Sequence, residues 1–285
     1  MKEVVVTLSG GLGNQMFQMA AGRALAIREK AGLSADITPL LRHGQRAYGL
    51  GDFRLGIHVR LQAGTASRRF SRLRRLARRI FMGEHLFKEA GFAYDDRILE
   101  ARAPVRLEGY FQSERYFADV AAEIRADFMP RAEKQAGIEE LAARLLPGKP
   151  SVSLHVRRGD YADPAVMKVH GLMGIDYYER ALRLVAGNAG PCVVCVFTDD
   201  PAWVRENLRL PPDARFVSEH TKSAMEDLML MSRCSHHITA NSSFSWWGAW
   251  LNPSRHKVVV SPARWFQPDS GIDVRDLRPG DWLQA

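Results

Sequence analysis

The apolar positions fall into short runs separated by polar turns, and their spacing switches between strand-like and helical. Val4, Val5, Val6 and Leu8 form the first run, Gly10, Gly11 and Gly13 a turn, and Met16, Phe17, Ala20, Ala21, Ala24 and Leu25 then recur with helical period. From about Leu40 to Arg102 the pattern is loop-rich, with one arginine-rich helix; Ser113 to Phe128 predicts another helix. Leu146-Pro147-Gly148-Lys149-Pro150 is a cluster of breakers that marks a domain boundary. Beyond it the order is regular. Strands are predicted at Val152–Val156, Val193–Phe197, Arg215–Val217, Ile238–Ala240 and Val258–Val260, with helices near 177–186, 202–208 and 224–233 and from about Ser243. Strands alternating with helices imply a parallel sheet covered on both faces. The expectation is an α/β protein of two Rossmann-like domains, residues 1–148 and 149–285, facing each other across a cleft.

A chain of 285 residues is long enough for two such cores, and 46% hydrophobic with 25% charged residues is ordinary for a globular protein. The net charge of +8 is local, because the stretch from Arg68 to Arg79 is dense in arginine and holds no acid. Three cysteines make no disulfide framework. Cys192 and Cys195 have CxxC spacing but sit in a strand-like run, so they read as structural. The segment Met1-Lys2-Glu3-Val4-Val5-Val6 is unlike a signal peptide, and no apolar run approaches the ~20 residues of a membrane span, so a cytoplasmic chain is expected.

Ligands of open parallel sheets bind beyond the carboxyl ends of the strands. Four polar clusters occupy such ends: Gly10-Gly11-Leu12-Gly13-Asn14-Gln15, His155-Val156-Arg157-Arg158-Gly159-Asp160, Thr198-Asp199-Asp200 and Asn241-Ser242-Ser243-Phe244-Ser245. Arginine offers a planar fork that suits a diphosphate and stays charged as negative charge develops on a leaving group. Ser242 and Ser243 would present hydroxyls and backbone N–H groups at a helix start, a natural anion site. A carboxylate at Asp199 or Asp200 suits the paired N–H donors of a guanine edge, and equally a turn and helix cap. Asn14 would cap its helix or face the cleft. The glycine turn does not match G-x-G-x-x-G, so it argues little for a dinucleotide. Trp246, Trp247 and Trp250 read as core, and His236 and His237 as sheet residues without metal-ligand partners.

On the segments Gly10–Gln18, His155–Tyr161, Phe197–Asp200 and Ala240–Leu251 the sequence resembles the bacterial α-1,2-fucosyltransferases, in order and spacing over most of its length. The resemblance implies a GT-B-type fold, GDP-β-L-fucose as donor, O2 of a terminal β-galactose as acceptor, inversion to an α-linked fucoside and no metal or other cofactor. It places Arg157 on the β-phosphate and Asn14 near donor and acceptor. Gly11, Gly13, His155, Arg158, Asn241, Ser242, Ser243 and Phe244 fall on the donor side, with Asp199 near the guanine and Asp160 orienting the arginines. Inversion ordinarily calls for a general base. Tied to the arginines, Asp160 would be a poor one, and Asn14 can orient but not accept a proton.

Phe70, Leu73, Leu76, Ala77, Ile80 and Phe81 share one helical face and arginines fill the rest. Such a helix either lies on an anionic membrane surface, at the inner face of the bacterial membrane, or packs on the core with a solvated basic face. Nucleic-acid binding would rest on this run alone, without aromatic interleaving, and is not expected. A non-catalytic nucleotide- or glycan-binding protein would use the same cluster residues as an enzyme, and within the enzyme class the alternative is a fucosyltransferase of other linkage.

Overall fold

The computed structural model of the chain describes residues 2–43, 47–56, 58–60, 83–159, 167 and 171–285. The arginine run from Arg68 to Arg79 and Asp160 lie outside them. Two compact units divide the chain: Met1–Met129 with Asp273–Leu277, and Pro130–Ile272 with Arg278–Ala285.

The first unit contains β1 (Glu3–Thr7), α1 (Leu12–Glu29), β2 (Gly32–Asp36), α2 (Thr38–His43), β3 (His58–Arg60), β4 (His85–Lys88), β5 (Val105–Glu108) and α3 (Ala121–Asp127). Its sheet runs β3-β2-β1-β5-β4 with every neighbour parallel. The valines of β1 are fully enclosed, as a strand covered on both faces requires. The helix expected over Ser113–Phe128 is broken. Two 3-10 turns precede α3, Ser113 caps the first by accepting from the Arg115 N–H at 3.3 Å, and Phe117 leaves helical geometry at φ −143°. Tertiary packing accounts for the break: Phe117 is buried, with its ring 6.2 Å from that of Phe17. Residues 273–277 belong to this unit, where Asp276 accepts from the Tyr94 N–H at 3.0 Å and from Arg115 at 2.9 Å.

The second unit contains α4 (Ala132–Leu145), β6 (Ser151–Val156), α5 (Ile175–Ala189), β7 (Val193–Thr198), α6 (Pro201–Asn207), β8 (Arg215–Phe216), α7 (Ala224–Ser232), β9 (His236–Ile238), α8 (Ser243–Leu251), β10 (Val259–Ser261) and β11 (Leu283–Gln284). Its sheet runs β8-β7-β6-β9-β10-β11, all parallel. In sequence order this is the doubly wound arrangement 3-2-1-4-5-6, with its switch point between β6 and β9. The units divide between Met129 and Pro130, ahead of the breaker cluster at 146–150. The reason is α4, whose Leu141, Ala142 and Leu145 pack on Leu230 and Met231 of α7 and whose Glu139 pairs with Arg233. Trp246, Trp247 and Trp250 are core, as expected. Trp246 stacks on Trp250 with ring centroids 6.0 Å apart and packs against Trp282 at 5.5 Å. His236 and His237 lie on β9, and His237 is satisfied by Ser153 at 2.8 Å and Asn252 at 2.9 Å. The three cysteines are free thiols.

Candidate functional site

The strand ends carry the clusters where the sequence puts them. In the second unit, Arg157 and Arg158 follow β6 directly, while Asn241 and Ser242 lead from β9 into α8, so the switch point separates them. Ser242 is the N-cap of α8 and makes no side-chain cap bond. The first-turn N–H groups of α8, at Ser243 and Phe244, are part of this strand-end loop, and both residues are half-buried. Asn241 is buried, its amide donating to Gly171 O at 3.3 Å and Trp265 O at 3.2 Å, so it anchors the loop.

The arginines are held from β7. Asp199 Oδ2 lies 2.7 Å from Arg157 Nη1, and Asp199 Oδ1 accepts the Arg158 backbone N–H at 2.9 Å. Both oxygens are therefore engaged, and Asp199 orients the Arg157 guanidinium and the backbone that follows β6. A Cβ at Gly159 would approach Asp199 Oδ2 to 2.7 Å, so the carboxylate packs directly on the glycine backbone. Arg158 stacks 4.0 Å above the Trp203 ring and lies 3.5 Å from Asp200, which also caps α6 by accepting the Trp203 N–H at 3.0 Å. Beneath them Tyr178 is buried, its phenol bonded to the Arg157 backbone and its pKa pushed up by burial. Tyr178 and Trp203 are the positioning residues sequence reasoning missed; as aromatics on amphipathic helices they carry no signal apart from core packing.

His155 is fully enclosed beside Phe244, ring centroids 5.6 Å apart, with Nδ1 unbonded. Burial, reinforced by the Arg157 charge, lowers its pKa from 6.5 to about 3. The histidine is thus neutral at physiological pH and adds no charge beside the arginines. The sign of the linkage follows. Between pH 6.5 and about 3 the unfolded chain binds a proton that the folded state refuses, so His155 weakens the fold as pH falls through that window. At pH 5.5 the loss is on the order of 1 kcal/mol relative to neutral pH. Buried Glu89 and Asp227 shift upward and oppose it. The expected result in urea unfolding is therefore a difference: His155→Phe loses less stability between pH 7.5 and 5.5 than the unaltered chain, and equal losses would disprove the buried neutral histidine.

In the first unit Gly10 adopts φ +76° and Gly11 is the N-cap of α1, so Asn14 lies within the first turn of the helix and is not its cap. Gly13 is buried in the same turn. A Cβ on Gly10 would meet Asn14 Nδ2 at 2.6 Å. Gln15 ties Gly10 O and Ala47 O, each at 2.9 Å, and Gln18 ties Ser9 to Gly109 O at 3.0 Å, so both glutamines are built into the loops.

A fifth strand-end cluster, Gly109-Tyr110-Phe111-Gln112, follows β5. Gln112 donates to Asn14 Oδ1 at 2.8 Å. Phe111 sits at φ +54°, a conformation that costs a non-glycine residue about 1–3 kcal/mol. Buried Glu89 holds it there, accepting the Tyr110 and Phe111 N–H groups at 2.7 and 2.9 Å and the Tyr116 hydroxyl at 2.9 Å. With both oxygens engaged, Glu89 is an anchor and not a free base. The cluster escaped the sequence reading because β5 lies at the edge of the loop-rich stretch.

The profile described as Glycosyl transferase family 11 matches residues 2–272. The chain belongs to glycosyl transferase family 11. Relatives within reach of that family include the O-antigen biosynthesis glycosyltransferase WbnK of Escherichia coli, 33% identical over 97% of this chain and 98% of its own length. An alpha-1,2-colitosyltransferase of Escherichia coli is 31% identical over 100% and 99%. The galactoside alpha-(1,2)-fucosyltransferase 2 of Oryctolagus cuniculus is 31% identical over 58% of this chain and 48% of its own. Among solved structures, the fucosyltransferase NodZ from Bradyrhizobium has a TM-score of 0.53 at 17% identity, covering 88% of this chain and 94% of that one. Arabidopsis thaliana FUT1, in mutant form with GDP, has a TM-score of 0.51 at 13% identity, covering 98% and 74%. These likenesses place the family 11 chain in the GT-B-type fold of fucosyltransferases. No helix among the described residues is long and apolar enough to cross a membrane. Nor does any described group of three or more His, Cys, Asp or Glu side chains have an arrangement suited to a metal ion.

Proposed function

We propose that this family 11 glycosyltransferase moves L-fucose from GDP-β-L-fucose to O2 of a terminal β-galactose, with inversion at the anomeric carbon. The observation that carries the reading is the pair of arginines after β6, held by Asp199 at the switch point of the second sheet. In this reading the second unit binds the donor. Arg157 meets the β-phosphate and Arg158 supports it, while the α8 N-terminus behind Ser242 supplies N–H donors to the diphosphate. Asn241 and Phe244 shape that loop, and His155 lines it as a neutral group.

The bond from C1 of fucose to the β-phosphate oxygen breaks early, its electron pair leaving with GDP into the field of the arginine. The sugar then has oxocarbenium character. Acceptor O2 forms the new bond from the opposite face and loses its proton to water late. The first unit takes the acceptor, with Asn14 orienting the reacting hydroxyl and Gly11 and Gly13 allowing close approach. Fixed cations take the place of a divalent metal, so transfer rates are expected to be equal with excess EDTA and with added Mg²⁺; a fall to background in EDTA would refute that part.

A second reading has support in the colitosyltransferase, which matches this chain end to end. It keeps the mechanism and the 1,2 linkage but changes the sugar. Incubation with GDP-fucose or its colitosyl counterpart and a panel of galactosides, followed by linkage analysis, separates the two. Release of GDP with a 1,2-linked fucoside is the expected result. Failure of GDP-fucose to react, or another linkage, sinks the first reading.

A further inference from the structure

We infer that Tyr110 is a binding residue for the acceptor: its ring, backed by that of Phe92, is the platform on which the apolar face of a terminal β-galactose stacks. The inference rests on the assignment of the acceptor to the first unit and extends it to two residues with no role so far.

Three observations carry it. The first is place. β1, β5 and β4 are parallel neighbours, so the segments leaving their carboxyl ends lie along one edge of the sheet. Gly109 O is tied to Gln18 at 3.0 Å and the Gln112 side chain to Asn14 at 2.8 Å, so the residues after β5 run along α1 toward its N-terminus, with Tyr110 between the two ties. The second is a contrast between neighbours. Phe111 is fully buried, its ring 5.2 Å from that of Tyr116 and 6.2 Å from that of Phe87, whereas Tyr110 is 38% exposed. Phe111 turns inward through left-handed backbone geometry, and buried Glu89 fixes the segment by accepting both the Tyr110 and the Phe111 N–H groups. A strained residue and a buried carboxylate are both costly, and such costs persist where a site needs one set geometry. The third is form. The Phe92 and Tyr110 rings are stacked, with centroids 5.4 Å apart and planes 19° from parallel, so one face of Tyr110 is backed by a second ring.

A flat, supported and partly exposed ring suits a ligand with one apolar face and polar edges. β-Galactopyranose has that form. Its axial O4 leaves the C3, C4 and C5 protons together on the opposite face, while O2 projects from the edge of the ring. Stacked on Tyr110 in this way, the sugar keeps O2 open for attack on an anomeric carbon.

Two substitutions separate stacking from packing. Tyr110→Phe keeps the flat ring, and Tyr110→Leu keeps apolar bulk over Phe92 without a flat face. With GDP-fucose and a β-galactoside, the acceptor KM is expected to rise about tenfold in Tyr110→Leu and to stay within about twofold of the parent in Tyr110→Phe, with the donor KM unchanged in both. A packing role alone predicts instead a lower thermal midpoint and an unchanged acceptor KM. Saturation-transfer NMR on methyl β-D-galactopyranoside, with GDP present, gives a second readout that needs no transfer. The expected pattern is saturation strongest at the C3, C4 and C5 protons, lost in Tyr110→Leu and kept in Tyr110→Phe. An acceptor KM that Tyr110→Leu leaves unchanged, or saturation spread evenly around the sugar, overturns the inference; if fucose is still transferred, the proposed function stands without it. The expected pattern in a chain that transfers no fucose leaves the platform standing and removes the donor assignment instead. A parent chain that saturates no galactoside overturns the inference together with the acceptor reading.

Discussion

Replacement of Arg157 by alanine is expected to lower transfer from GDP-fucose about a thousandfold while leaving the thermal unfolding midpoint within a few degrees of the parent. The side chain is about a quarter exposed and pairs with Asp199 at the end of the neighbouring strand, so little core packing is lost. What disappears is a fixed positive charge where the leaving diphosphate gathers negative charge. Because that charge is greater in the transition state than in the bound donor, most of the loss falls on kcat and less on GDP affinity. Arg157→Lys should recover only part of the rate, since an ammonium cannot reproduce the planar fork. Single-turnover kinetics with calorimetric GDP titration measures both quantities. Near-normal turnover in Arg157→Ala would remove the phosphate role altogether.

Asp199→Ala is expected to cost about a hundredfold in kcat without touching the donor through the altered residue itself. Its carboxylate meets Arg157 with one oxygen and the Arg158 N–H with the other, so it sets the direction of the first guanidinium and the path of the loop after β6. Alanine frees both. Asparagine keeps an oxygen for the Arg158 N–H and loses the ion pair, so Asp199→Asn should fall between the two, about tenfold below the parent. If instead Asp199 reads the guanine edge, exchanging GDP-fucose for an analogue with another base would abolish the difference between Asp199→Ala and the parent. The engaged carboxylate argues that the difference persists.

The second unit was readable from the sequence because its strands are continuous apolar runs and its catalytic-looking residues follow those runs at once. Val152, Leu154 and Val156 announce β6, and Arg157 comes next in the chain. The first unit was less legible. β2 reads Gly-Leu-Ser-Ala-Asp, and its Asp36 is tolerable in a buried strand end because Arg106 of β5 pairs with it at 2.7 Å and the Thr38 N–H donates to it at 3.0 Å. The arginine is seventy positions away, out of reach of any local pattern. The same long range hid Gln112, whose meaning depends on Asn14, and Tyr178, which supports Arg157 from a helix in the following crossover. The reading of Ser113–Phe128 as one helix failed because burial of Phe117 outweighed local propensity. The boundary at 146–150 failed for a related reason: breakers mark where a helix ends, whereas α4 belongs to the core on which its apolar face packs.

The return of residues 273–277 to the first unit bears on the order in which the protein is made. A ribosome adding roughly 5–20 residues per second releases Tyr94 and Arg115 long before Asp276. The nascent first unit therefore waits, with the Tyr94 amide and the Arg115 guanidinium lacking this carboxylate, until the second unit has been synthesised. Released chains ending before residue 273 should accordingly yield to protease around residues 94–115, and chains that include residues 273–277 should not.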